Sequence, residues 1–231
     1  MANFVCRTTS LSLQKMVRII YFFAIVILSL TITSCSNNSN CSETKDEALV
    51  LPTEIKSTAN KDLITLFQKA TAGDAASQEV LGCCYHRGEL GLQQDVNKAI
   101  EWWTKAANKN DINAQTDLGM AYYFGERFGI QTNKEKGCNW FKKAADNGGA
   151  LAAFQLACAY LDGVGVKKNL KLSFEYMLKS ANAGNNSAMY NLGIFYLQGI
   201  YVQKDAQEAY SWLERAANAG NNNAINLLRT I

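Results

Sequence analysis

Seven cysteines and one histidine are the residues of this 231-residue chain best suited to chemistry. Their spacing argues against most kinds of it. No CxxC pair occurs, so neither a thioredoxin-type dithiol nor a paired-cysteine zinc site is supported. Cys83 and Cys84 are neighbours, and on a helix their side chains point about 100° apart, which would strain a mutual bridge. His86 has no serine and acid set to work with, so a surface or groove position suits it better than a general base. No phosphate-binding loop follows a strand, because no strand is predicted; the glycines of "DGVGV" at 162–166 mark a turn between helices. The sequence therefore names no catalytic residue, no metal ligand and no cofactor.

One cysteine points to a compartment. Arg7, Lys15 and Arg18 precede an uncharged apolar segment of 14 residues, Ile19 to Ile32, in the order of a secretory signal. A membrane span needs about 20 apolar residues. Only 16 positions separate Arg18 from Cys35, which makes an uncleaved anchor the weaker reading. Ile32, Thr33, Ser34 and Cys35 resemble a bacterial lipobox, in which the cysteine is diacylated and becomes the first mature residue. Ser36 stands where an aspartate would resemble the inner-membrane retention signal, so the outer membrane of a bacterial envelope is expected. Met16 begins an equally complete signal, which leaves the start open between Met1 and Met16. With Cys35 lipidated, the mature chain keeps Cys41, Cys83, Cys84, Cys138 and Cys158, an odd number, so at least one thiol is free or pairs between chains.

The signal also carries the charge. Residues 1–34 hold three of the 23 basic residues and none of the 20 acidic ones, leaving 20 of each in the mature chain. No basic excess remains to attract a phosphate backbone, and nucleic acid is not an expected partner. Residues 35–60 begin with the lipidated cysteine, continue polar and aperiodic, include the sole proline, Pro52, and read as a tether. Residues 61–231 have the length of one domain.

That domain repeats itself. Segments beginning at Leu81, Leu118, Leu156 and Leu192 align at intervals of 37, 38 and 36 residues, giving units of about 76–110, 113–148, 151–186 and 187–222 with half-units on either side. Small residues Ser77, Ala114, Ala152 and Ala188 stand four before these leucines, and Tyr85, Tyr122, Tyr160 and Tyr196 four after, on one face of a first helix. Gly82, Gly119, Ala157 and Gly193 follow the leucines and argue for close helix contact. Gly88, Gly125, Gly163 and Gly199 are placed to end the first helix, and Asp95, Asn133, Asn169 and Asp205 to cap the second. The second helix carries Trp102, Trp140, Tyr176 and Trp212, followed by small pairs such as Ala106 and Ala107, a ridge and a slot for neighbours.

This joint pattern over residues 61–231 resembles Sel1-like repeats, longer relatives of tetratricopeptide repeats. The resemblance implies an all-α fold, a right-handed α-solenoid of antiparallel helix pairs. It further implies an envelope-anchored scaffold that binds a protein or peptide partner. The alternative comes from a cysteine-rich secreted branch of the family, described as binding penicillin, which would make the chain an enzyme or a cell-wall or β-lactam binder. The paired cysteines of that branch have no counterparts around Ala107 and Asn113. In such solenoids the first helices line the concave side. Positions two before and two after each leucine are therefore the expected groove: Glu79 and Cys83, Thr116 and Met120, Phe154 and Cys158, Tyr190 and Ile194. The face turns apolar towards the C-terminus, with Phe154 and Tyr190 as anchors, unless neighbouring helices bury these positions instead.

Overall fold

Side-chain caps set the rhythm of the chain. Asp74, Asp95, Asp111, Asn133, Asn169, Asn185, Asp205 and Asn221 each accept a hydrogen bond from the backbone N–H three residues on, satisfying a donor the first helical turn leaves free. The computed structural model describes residues 51–57 and 60–230. Every regular element among them is a helix: α1 Thr53–Ser57, α2 Lys61–Thr71, α3 Ala75–Arg87, α4 Val96–Ala107, α5 Ile112–Tyr123, α6 Lys134–Asp146, α7 Ala150–Asp162, α8 Leu170–Asn182, α9 Asn186–Gln198, α10 Ala206–Asn218 and α11 Asn222–Leu228, with a 3-10 turn at Gly125–Phe128. Helices α3/α4, α5/α6, α7/α8 and α9/α10 form the four pairs, and packing is most extensive within each pair. The expected signal segment and Cys35 lie outside the described residues. Part of the segment expected as tether does not: Ile55 of α1 is fully buried in the same core cluster as Leu63 and Phe67.

Each pair is held by a wedge in a slot. A Cβ at Gly82 would stand 2.5 Å from the Trp103 ring, and one at Gly193 2.6 Å from Leu213, so the missing side chain is what lets the second helix approach. Phe141 fills the same place against Gly119. Unit 3 has Ala157 and Met177 at these positions, both fully buried in one cluster. The wedge is therefore the residue after the aromatic that the periodicity singled out. Trp102, Trp140, Tyr176 and Trp212 are turned about 100° from the slot. Three of them are covered by a cation one turn on, Lys105 at 3.8 Å, Lys143 at 4.0 Å and Arg215 at 4.0 Å from the ring centroids.

The helix ends follow the expected glycines, with one exception. Gly88, Gly163 and Gly199 are left-handed, at φ 67°, 70° and 70°. Gly125 is not: α5 ends at Tyr123, Gly125 opens the 3-10 turn, and Gly129 takes the left-handed position at φ 70°. The enlarged loop "GERFGI" moves the stop by four residues, and Gly125 serves close packing instead, since a Cβ there would meet the Thr132 backbone at 2.6 Å. In unit 4 Tyr201 adopts φ 67° where a glycine would be unstrained.

Units are joined by small residues and buried amides. Ala106, Ala144, Ala145, Ala181 and Ala216 are fully buried, leaving room for the next first helix. Gln78 Nε2 donates to Ala70 O at 2.9 Å and Gln115 Nε2 to Ala107 O at 3.1 Å, each tying a first helix to the end of the helix before it. Among the described residues no helix is long and apolar enough to cross a membrane. Phe141→Ala should lower the unfolding free energy by about 3–5 kcal/mol, because the wedge is lost and its slot cannot collapse onto the Gly119 backbone. Urea unfolding followed by circular dichroism checks this; a midpoint that does not move would refute the wedge.

Candidate functional site

Helix periodicity places Glu79 and Cys83 of α3 on one face, one turn apart, and the seam with the next unit brings Asp117 of α5 to them. Cys83 Sγ donates to Glu79 Oε1 at 3.2 Å and lies 3.7 Å from Asp117 Oδ2. One donor atom from each residue lies within 4.8 Å of the other two. Glu79 is only 4% exposed, while Cys83 and Asp117 are half-buried as residues.

The electrostatics follow from this enclosure. Burial raises the Glu79 carboxyl above the ordinary carboxylate range. Burial, reinforced by the charge of Glu79, pushes Asp117 up to about 7. Burial and then the two carboxylates push the Cys83 thiol up, which makes it a poor nucleophile in this state. Among the described residues neither carboxylate has a Lys or Arg within ion-pair distance. The trio can thus hold protons or a cation, and it has the donor types for either.

The eight groove positions fall into three environments. Glu79 and Cys83 join the trio. Thr116 is buried and donates to the carbonyl of Ile112 at 2.7 Å in its own helix, with Met120 half-buried beyond it. Phe154 and Cys158, 7% and 8% exposed, pack in the core cluster shared by units 3 and 4, with Tyr190 at its edge and Ile194 half-buried. Sequence reasoning missed Asp117, which precedes the repeat leucine where the other units have Val80, Gln155 and Asn191. Its signal was a distance: Cys83 and Asp117 are 34 residues apart, one repeat less one helical turn.

His86 lies in the last turn of the same helix. Its ring stacks on Phe128 of the enlarged loop, centroids 4.8 Å apart, and lies 5.6 Å from Trp103. Burial lowers its pKa, so the imidazole is a neutral packing element rather than a poised base. Cys83, Cys84 and Cys138 are free thiols, and burial raises the latter two to about 12 and about 11.

Stacked antiparallel helix pairs flanked by α2 and α11 define an α-solenoid of the tetratricopeptide type. The chain belongs to the Sel1 repeat family, whose model matches residues 75–111, 112–149, 150–185 and 186–221. Proteins of this family are generally non-catalytic scaffolds for protein interaction. Among solved structures the chain is similar to c5321, a protective antigen present in uropathogenic Escherichia coli strains, with 32% identity and a TM-score of 0.68 over 71% of this chain and 35% of that one. It is also similar to a Sel1 repeat protein from Oxalobacter formigenes, with 30% identity and a TM-score of 0.67 over 77% of this chain and 49% of that one. The chain spans between a third and a half of the length of those proteins. No curated protein matches it.

The raised Asp117 pKa has a definite sign in stability. Between its ordinary 3.8 and about 7 the folded chain holds a proton that the unfolded chain releases, so this contribution is present at low pH and lost as pH rises through about 7. In chelator-treated buffer, Asp117→Asn should therefore be more stable than wild type above about pH 7, by about 1 kcal/mol or more, with the difference shrinking towards pH 4. Thermal melts across this range read it directly; a difference that grows on acidification contradicts the assignment.

Proposed function

We propose that the protein is a lipid-anchored scaffold of the bacterial envelope, held by Cys35 at the outer membrane, whose first-helix face receives a protein or peptide partner. The anchor rests on the basic residues before Ile19, the apolar run to Ile32 and the small residues ahead of Cys35. The observation that carries the scaffold role is a stack of four Sel1 repeats in which Tyr190 and Ile194 of α9 remain incompletely buried between unit 3 and the half-unit α11. Partly covered apolar positions on a stacked helical surface suit a partner's helix or extended segment. Phe154 stiffens that surface from below, being packed in the same cluster as Tyr190. Of the groove positions, Tyr190, Ile194, Met120 and Cys83 form the accessible part, and Glu79, Thr116, Phe154 and Cys158 its floor.

Two measurements test the two halves. Photo-crosslinking groups placed at Tyr190 and Ile194 in the native envelope should give adducts with one protein partner, whereas a group at Tyr210, 38% exposed on the second helix α10, should not. Equal labelling from all three positions would remove the face assignment. Cys35→Ser should abolish acyl-chain incorporation and release the protein from membranes, because stable anchoring requires more than one chain; continued labelling with palmitate would exclude the anchor.

A further inference from the structure

We propose that Glu79, Cys83 and Asp117 are the protein ligands of a thiophilic divalent cation, Zn²⁺ being the type, which would join units 1 and 2 across their seam. The sequence alone gave no metal site, because the set comes from two repeats and contains no paired cysteines. An ion with metal–sulfur distances of about 2.3 Å and metal–oxygen distances of about 2.1 Å in tetrahedral geometry sets sulfur and oxygen about 3.6 Å apart. Cys83 Sγ stands 3.2 Å from Glu79 Oε1 and 3.7 Å from Asp117 Oδ2, so small rotations about the side-chain bonds complete the geometry.

Glu79 gives the independent indication. It is 4% exposed, and outside the trio it has no hydrogen bond or ion pair among the described residues. A carboxylate enclosed without a basic partner is costly unless a cation or a further donor meets it. Nor does the repeat require it: the equivalents of Glu79 are Thr116, Phe154 and Tyr190, and those of Asp117 are Val80, Gln155 and Asn191, none of them a carboxylate. The seams between the later units form without these charges. Binding releases the Cys83 proton, and any proton held by the two carboxyls, to solvent. The resulting thiolate with two carboxylates favours Zn²⁺, Co²⁺ and Cd²⁺ over Mg²⁺ and Ca²⁺, which take oxygen ligands throughout. Three protein ligands leave a fourth position for water.

Co²⁺ is the probe of choice, because thiolate coordination gives it a charge-transfer band in the near ultraviolet. Titration of the full chain in detergent should develop that band with saturation at one ion per chain, and Zn²⁺ should displace it while Mg²⁺ does not. Cys83→Ser should lose the band with its helical circular dichroism unchanged. Asp117→Asn, which keeps the thiol, should bind Co²⁺ about tenfold more weakly or worse. Absence of the band, its survival in Cys83→Ser, or wild-type affinity in Asp117→Asn would each overturn the site. If Cys83→Ser does not fold, the affinity of Asp117→Asn decides alone.

Discussion

The insertion of one large side chain into the space left by a missing one is the constraint on which the rest of the molecule depends. Trp103, Phe141 and Leu213 enter the slots at Gly82, Gly119 and Gly193, and a single methyl in a slot would collide with the wedge. Close-packed interiors tolerate no such overlap without moving a helix. The wedge therefore fixes both the separation of the pair and its rotation, and so decides which residues of each helix are left for the neighbouring units. Buried Ala106, Ala144 and Ala145 then admit the next first helix, and the side-chain amides of Gln78 and Gln115 tie first helices to backbone carbonyls at the end of the helix before.

That register brings residues one repeat less one turn apart into contact along the first helices. The same geometry yields different chemistry at different seams. Between units 1 and 2 it joins two carboxyls and a thiol that have no Lys or Arg within ion-pair distance among the described residues. In units 3 and 4 it packs Phe154 and Cys158 into apolar core with Tyr190 at its edge. A repeat array in which each unit meets only its neighbours allows this, because a polar or apolar seam affects two units and not the whole stack.

The enlarged loop of unit 2 shows a related division of labour. Its extra residues displace the left-handed stop from Gly125 to Gly129, and Phe128 thereby reaches back to stack on His86 of unit 1. A half-buried imidazole at the end of α3 thus belongs to packing between units.

The sequence by itself determined the repeat length, the helix-pair architecture, the caps at Asp95, Asn133, Asn169 and Asp205 and the leucine-centred core face, because each is a matter of periodicity or of local hydrogen bonding within a few residues. It also located Glu79 and Cys83 on a common face, since they are one turn apart on a single helix. It singled out Trp102 and Trp140 as a ridge and did not name Trp103 and Phe141, which enter the glycine slots, because adjacent bulky residues are equivalent in a one-dimensional pattern and differ only by about 100° of helix rotation. It put Gly125 in a role that Gly129 fills, and it read as tether a segment whose Ile55 is buried. Only the tertiary structure brought Asp117 to Cys83 and drew Phe154 and Cys158 down into the core. Such contacts depend on the rotation of one helix pair against the next, and that rotation is set by packing between units rather than by any residue's own neighbours in the chain.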